Sequence, residues 1–521
     1  MASFNRKSNK RWGGSVDQIV ILGDRYGQLQ GISASGTSAF GEPVAVPVNP
    51  VIQLDGLYGL DSRKFETYTG TSTGNPGTAT STGTLMRVTT DSNGIGSYGV
   101  IRSRRAVRYR PGQGMLGRFT AKFSPGVAGY TQRAGFFSQE QAIQIGFDGE
   151  NFGVLRQNEG KAHIQTIEVL TATQPEDITV TLNDDLVTFS STAATTGDLA
   201  KLIFDSLESD PVVSGKWIFE WYENSIVALS KDVGPLAGAF SIATTGSSTF
   251  NNTTTQTGVA HNTQWTYQQD FSEDTLDGNG PSKMLIDPEK LNVFQINLRW
   301  LGAGRIQYAI EDQNGCMVPF HTEHYSNQNT DVHLDNPTMK LGYVAASLGG
   351  NGTSIVVEGA SMLGAIEGNI NTTSFPATHS ALKSALSSTT LNHIFSIKNR
   401  LVYSDKINLR ELLLAELSAG ITENAFTFGQ VYLFLNAVNS LDHVWKTIGS
   451  NSHILYSDVA GTITLANEQP LASFILGRDA PQTIDLRELR IALPPNNTLT
   501  VGIKPDANTP NAAVSLVWIE D

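Results

Sequence analysis

The chain has 521 residues, too many for one ordinary core, so roughly two to four domains are expected. Hydrophobic residues at 40% suffice for those cores, while 16% charged residues and 50 glycines point to many short strands and turns and away from an α/β enzyme. A net charge of −13 argues against wrapping nucleic acid, because phosphate contacts need a clustered excess of Lys and Arg.

Residues 1–40 are polar and open with Arg6, Lys7, Lys10 and Arg11, apart from an apolar, strand-like patch at 16–22. Such a segment buries too little surface to fold alone. It reads either as an anchoring arm that orders against a partner or as a tail with no fixed structure. Residues 43–68 alternate extended segments with turns, and 69–84 are low in complexity. Residues 86–110 read as two strands in which Arg102, Arg104, Arg108 and Arg110 fall on even positions and share one face, a solvated surface or an anchor to an acidic partner. Pro111-Gly112-Gln113-Gly114 ends that strand, and 117–123, 134–137, 143–147 and 152–155 continue a sandwich.

Residues 162–261 break the pattern and read as an inserted ββαββ domain. The runs 178–182 and 186–189 form a hairpin about Asn183-Asp184-Asp185. A helix follows, with Thr196 as N-cap and Leu199, Ile203, Phe204 and Leu207 at helical spacing. Strands at 217–222 and 225–230 come next, and a Thr/Ser/Asn-rich run at 244–257 returns the chain to the sandwich.

The stretch that organises the chain is 265–310. Val293, Phe294, Ile296 and Leu298 alternate up to Trp300, and Ile306, Tyr308 and Ile310 resume the alternation after Gly302-Ala303-Gly304. Two such runs joined by a glycine-rich turn read as an antiparallel pair, preceded by a polar loop at 277–282. The sandwich closes at 339–346 and 354–366. The Asn, Thr, Ser and Pro of 368–385 read as a linker, and 386–521 as a C-terminal β-sandwich with strands at 393–397, 431–435, 453–455, 462–465, 472–476, 499–503 and 513–519 and one helix at 409–417. The fold class is therefore mainly β and multidomain: a discontinuous sandwich over 41–161 and 262–367, a small α+β insertion and a second sandwich.

The runs DGNGPSKMLIDPEKLNVFQINLRWLGAGRIQYAIE and RSRRAVRYRPGQG resemble a lectin-like jelly-roll module found in structural proteins of tailed bacteriophages and some large viruses. The resemblance spans roughly 40–160 and 262–367. It implies a virion component, made in the host cytoplasm, whose partners are other virion proteins of the capsid, the portal or neck, or the tail. It implies a homo-oligomer, in this class a trimer, with tail fibre, baseplate-associated, head-fibre and capsid-decoration roles all open.

Site chemistry is sparse. The phosphate-binding, dinucleotide, nucleophile-elbow and HExxH signatures are missing, so no catalytic residue is named and the chain is expected not to be an enzyme. His321, Glu323, His324, Asp331 and His333 form the best zinc candidate, yet strand alternation turns His324 away from the first two. Asp270, Glu273, Asp274 and Asp277 could bind calcium but lack the spacing of an EF-hand; the expectation is no cofactor. Among Trp265, Tyr267, Trp300, Tyr308, Tyr325 and Tyr343, most are expected to fill the core, with Trp265, Tyr267 and Tyr325 as candidates for stacking on a host surface glycan. Cys316, the single cysteine, excludes an intrachain disulfide and is expected to be buried. No apolar run is long enough to cross a bilayer, and the N-terminus lacks a signal peptide's apolar segment, so neither membrane nor nucleic acid is an expected partner. Two functions follow: a non-enzymatic virion structural protein, or a carbohydrate-binding adhesin for host attachment.

Overall fold

The computed structural model describes residues 47–350, 352–368, 376–422, 428–464, 470–477 and 481–520, together with the backbone of two short paired segments, Leu22–Gly23 and Leu29–Gln30. The basic residues Arg6, Lys7, Lys10 and Arg11 and the patch at 16–21 lie outside them.

The mainly β reading is right. A seven-stranded and a nine-stranded antiparallel sheet enclose the largest core. Asn292–Leu298 and Ile306–Glu311 pair as expected, with Ile296 opposite Tyr308, and sit inside the larger sheet beside Met115–Phe123. Their alternation sends Phe294, Ile296 and Leu298 to the interior, all fully buried. Phe119, Phe123, Phe147, Phe152 and Phe294 pack with ring centroids 5.3 to 6.4 Å apart. Burial of each contributes roughly 1.5–3 kcal/mol.

Two expectations fail here. The second strand of 86–110 ends early, as Tyr98–Ser103, so the arginines do not share one face. Arg102 pairs with Glu66 at 2.8 Å, Arg104 donates to Asn497 at 3.0 Å, and Arg105 pairs with Glu411 at 3.0 Å. Cys316 is exposed, because it follows Gly315 at the tip of the turn between Ile306–Glu311 and Met317–Glu323.

Between the paired strands Asn151–Asn158 and Asn262–Tyr267 the chain leaves the sandwich and builds a second unit. The hairpin of Glu176–Leu182 with Asp185–Ser191 turns through Asn183 and Asp184, both at positive φ (53° and 70°), which is the backbone such a tight turn requires. Helix Thr196–Ser209 is capped by Thr195, one residue before the expected Thr196; its hydroxyl accepts from the Asp198 N–H at 3.1 Å. A short second helix, Pro211–Lys216, leads into Trp217–Tyr222 and Ser225–Val233. The unit exceeds ββαββ: Ala162–Thr171, Phe240–Thr244 and Thr249–Gln256 are also strands, giving one four-stranded and one three-stranded sheet. The Thr/Ser run read as a return path is thus largely sheet.

The C-terminal unit packs five-stranded and six-stranded sheets over Phe395, Leu433, Leu516 and Trp518. The helix expected at 409–417 is instead strand Leu412–Thr422, which pairs along its length with Asn511–Glu520. Part of the expected linker, Pro376–Lys383, is an edge strand on the other side of Asn511–Glu520. At 462–465 no strand forms among the described residues; Thr462 and Ile463 make only isolated bridges, to Asn392 and Asn439. Trp445 and Leu455 join the core of the insertion, so the two smaller units share packing.

Candidate functional site

Two edge strands meet at one open side of the sandwich: Asn262–Tyr267 borders the seven-stranded sheet and Met317–Glu323 the nine-stranded one. Between them lies a polar cleft of about 460 Å3. Alternation splits the first strand, so that Asn262, Gln264 and Thr266 line the cleft while Trp265 and Tyr267 face the other way.

Arg156 is the centre of the cleft. It sits on Asn151–Asn158, one strand in from the edge, and only 7% of it is exposed. Its Nε donates to Glu323 Oε2 at 2.7 Å, one Nη donates to the His333 carbonyl at 3.3 Å, and the other donates to Gln264 Oε1. The guanidinium lies 5.6 Å from the centre of the Tyr325 ring. Glu323 also accepts from the Tyr308 hydroxyl at 3.1 Å. Burial, then the Glu323 charge, pushes that hydroxyl well above its ordinary value, so Tyr308 stays a protonated donor. Arg156 is thus a buried cation held by groups on three segments, and removing its carboxylate partner would cost stability. Around it, Asn158, Glu159, Asn262, His324, Asn329 and Asp331 form a hydrogen-bonding rim.

The two buried histidines are neutral. His321 has its value lowered by burial, and its Nδ1 accepts from the Ser272 N–H at 3.2 Å. His333, lowered by burial too, meets the Gly302 carbonyl through Nδ1 at 2.9 Å, which places its proton there. Of the residues considered for zinc, Glu323 and Asp331 and the Nδ1 atoms of His321 and His333 already have other partners. His324 lines the cleft alongside His321 and Glu323, because the strand ends at Glu323 and its alternation stops. Among the described residues no group of three or more His, Cys, Asp or Glu gathers to hold a metal.

Of the acids considered for calcium, Asp270 is exposed, and the other three pin the loop to itself and to the neighbouring strand. Asp274, 3% exposed, accepts from the N–H of Leu276 at 2.9 Å and of Ser282 at 2.8 Å. Asp277 accepts from the Asn279 N–H and the Thr275 hydroxyl, both at 2.9 Å, and Glu273 from the Thr322 hydroxyl.

The candidate aromatics divide. Tyr325 stands in the cleft with its ring 5.2 Å from His333. Trp265 and Tyr267 are half-buried on the opposite face of the edge strand, near-parallel at 6.5 Å, and the Tyr267 hydroxyl donates to Asp148 at 2.9 Å. The remaining three serve the core: Tyr308 and Tyr343 are fully buried, and the Trp300 indole donates to the Leu334 carbonyl at 2.9 Å. Sequence reasoning missed Arg156 and the amides of Asn158, Asn262 and Gln264. One signal was present: Arg156 is the single charge in Phe152-Gly153-Val154-Leu155-Arg156, a run otherwise fit for the interior.

No family model matches the chain, and no curated protein matches it in sequence. Several solved structures resemble it. The cellulose induced protein Cip1 is 10% identical, with 60% of this chain and 96% of that one covered, at a TM-score of 0.26. A legume lectin-like domain from Entamoeba histolytica is 9% identical over 58% of this chain and 89% of its own, TM-score 0.23. A lectin from Bauhinia forficata, solved in complex with GalNAc, is 9% identical over 62% of this chain and 98% of its own, TM-score 0.21. These likenesses are confined to a β-sandwich layout, and at such scores nothing about binding passes from those proteins to this chain.

Proposed function

We propose that the protein is a non-enzymatic attachment component of a virus particle that binds carbohydrate through the cleft around Arg156. The observation that carries the binding is the lining: a fixed guanidinium, four amide side chains (Asn158, Asn262, Gln264, Asn329) and the Tyr325 ring in one recess. Amides and a guanidinium match the alternating donors and acceptors of sugar hydroxyls, and an aromatic ring covers a sugar's C–H face. Arg156 stands against Glu159, Glu323 and Asp331, so the local charge is negative and favours neutral saccharides over carboxylated or phosphorylated ones.

The virion setting rests on the resemblance of 102–114 and 277–311 to phage structural modules, with the basic arm as the anchor and a trimer as the assembly. The test is binding of labelled full-length protein to host cells and to an array of neutral and acidic glycans, with mass checked by light scattering. Saturable binding that falls at least tenfold in Tyr325→Ala supports the reading. No binding, together with uptake onto particles lacking the protein, would replace it with a purely architectural subunit.

A further inference from the structure

A second cavity, of about 530 Å3, opens where the three units meet. The sandwich supplies Glu66, Arg102, Arg104 and Lys340, while the insertion supplies Ile218 and Leu229 and the C-terminal unit Leu401, Ile407 and Glu411. One wall is thus ionic and the other aliphatic.

The ionic wall is not neutral. Glu411 is matched by Arg105 at 3.0 Å and also accepts from the Ala106 N–H at 3.0 Å. Glu66 alone then faces Arg102, at 2.8 Å, and Lys340, at 2.7 Å. Arg104 has only neutral partners, the Asn497 side-chain oxygen at 3.0 Å and the Ser62 carbonyl at 2.9 Å. The lining side chains therefore carry one positive charge in excess, and two once Arg105 behind Glu411 is counted, in a chain whose net charge is −13. The excess is felt: burial first, and Arg102 second, hold the Lys340 ammonium down to about 8. Poorly hydrated cations with too few carboxylates gain most from an added anion, and a wall of Ile and Leu gains most from a covering apolar body.

We propose that this three-way junction is a binding site for a small amphipathic anion, with a carboxylate or phosphate set against Lys340 and Arg104 and an apolar body laid along Leu229, Leu401 and Ile407. The volume lies within the range of small-molecule sites, about 300–1,000 Å3. Because all three units contribute, an occupant also ties them together. The site is independent of the Arg156 cleft, and either proposal stands without the other.

The probe is 8-anilinonaphthalene-1-sulfonate, an aromatic sulfonate, titrated into the full-length protein and read by fluorescence. One saturating site per chain is expected, displaced by decanoate or by decyl phosphate; the stronger competitor identifies the preferred head group. Ile407→Trp, which fills the aliphatic side, and Lys340→Met, which removes one cation while leaving Arg102 on Glu66, should each weaken the probe at least tenfold. Unchanged affinity in either folded variant, or no saturable site, overturns the proposal. Should a variant not fold, a saturable rise in melting temperature of the unmodified protein with decanoate supports it, and a flat response overturns it.

Discussion

Glu220 holds the insertion to the C-terminal unit and offers a quantitative test of the assembly. It is fully buried, accepts from the Leu401 N–H at 3.1 and 3.2 Å, and lies 3.4 Å from Lys398 and 4.0 Å from Arg400. In Glu220→Ala the N–H loses its acceptor, which costs about 1–3 kcal/mol. Leaving two nearly buried cations without a carboxylate brings the total to about 3–5 kcal/mol. Part of that is retained, because Arg400 lies 4.3 Å from the Tyr222 ring centre and Lys398 5.9 Å from that of Trp445. The net expectation is about 3 kcal/mol, or about 10–15 °C in the melting of units of about 100–140 residues, at about 2.1 cal/mol/K of unfolding entropy per residue. Calorimetry should show the insertion and C-terminal transitions, merged in the unmodified protein, separating in Glu220→Ala. Limited proteolysis should cut first between the units. Glu220→Gln keeps one acceptor and should fall between the two. If both variants melted within about 1 kcal/mol of the unmodified protein, the carboxylate would not be a clamp and the reasoning would fail.

Three further outcomes follow from the geometry. Burial lowers both His393 and His453 to about 4 from an ordinary 6.5. Their protons bind less well in the folded state, so the stability they allow is full above pH 6.5 and is lost as pH falls toward 4. Each costs about 3 kcal/mol at most across that window, and melting of the C-terminal unit at pH 4.5 against pH 7 checks it. Glu323→Gln leaves the buried Arg156 without its carboxylate and should destabilise the sandwich by about 3 kcal/mol, whereas Arg156→Met with Glu323→Gln together should recover most of the loss; urea titrations of the single and double variants decide. Asp184→Val forces a β-branched residue into a φ of 70° and removes the bond from the Ala239 N–H at 2.8 Å, so a loss of about 2–3 kcal/mol is expected in the insertion by chemical denaturation.

What could be read from the sequence was local pairing. The alternation of Val293–Ile310 and the Asn183-Asp184 turn each specify a hairpin within a few residues, and both form. Where the partner is distant, the reading slipped. Leu412-Leu413-Leu414-Ala415-Glu416-Leu417 contains strong helix formers, yet it lies between Asn511–Glu520 on one side and the short strands Gln482–Asp485 and Ala492–Leu493 on the other, and those ladders override local preference. Pro376–Lys383 has a linker's composition, and its strand exists only because Asn511–Glu520 presents an edge. The cleft was harder still: Arg156, Gln264, Glu323 and Tyr325 meet from segments more than a hundred residues apart at the extremes, and only the buried position of Arg156 marked one of them.

The insertion departs from and returns to two strands that are hydrogen-bonded neighbours, Gly153–Asn158 against Asn262–Tyr267. In connectivity the whole unit occupies the place of a hairpin turn. The sandwich's ladder is complete on either side of it, so the unit is a cargo bay: its contents can be exchanged, enlarged or reduced to a short turn without disturbing the register that shapes the Arg156 cleft. The exchange would be felt where the unit touches its neighbours. Gln139 and Glu140 of the sandwich bond to the Ser230 and Lys231 carbonyls, the Ala162 N–H and Gln256. Glu220, Lys201 and Glu223 bond to the Leu401 N–H, Asp442 and Thr447 of the C-terminal unit, whose Trp445 and Leu455 share the insertion's core. The insertion can therefore change in content while the strand pairing of the sandwich beneath it stays as it is.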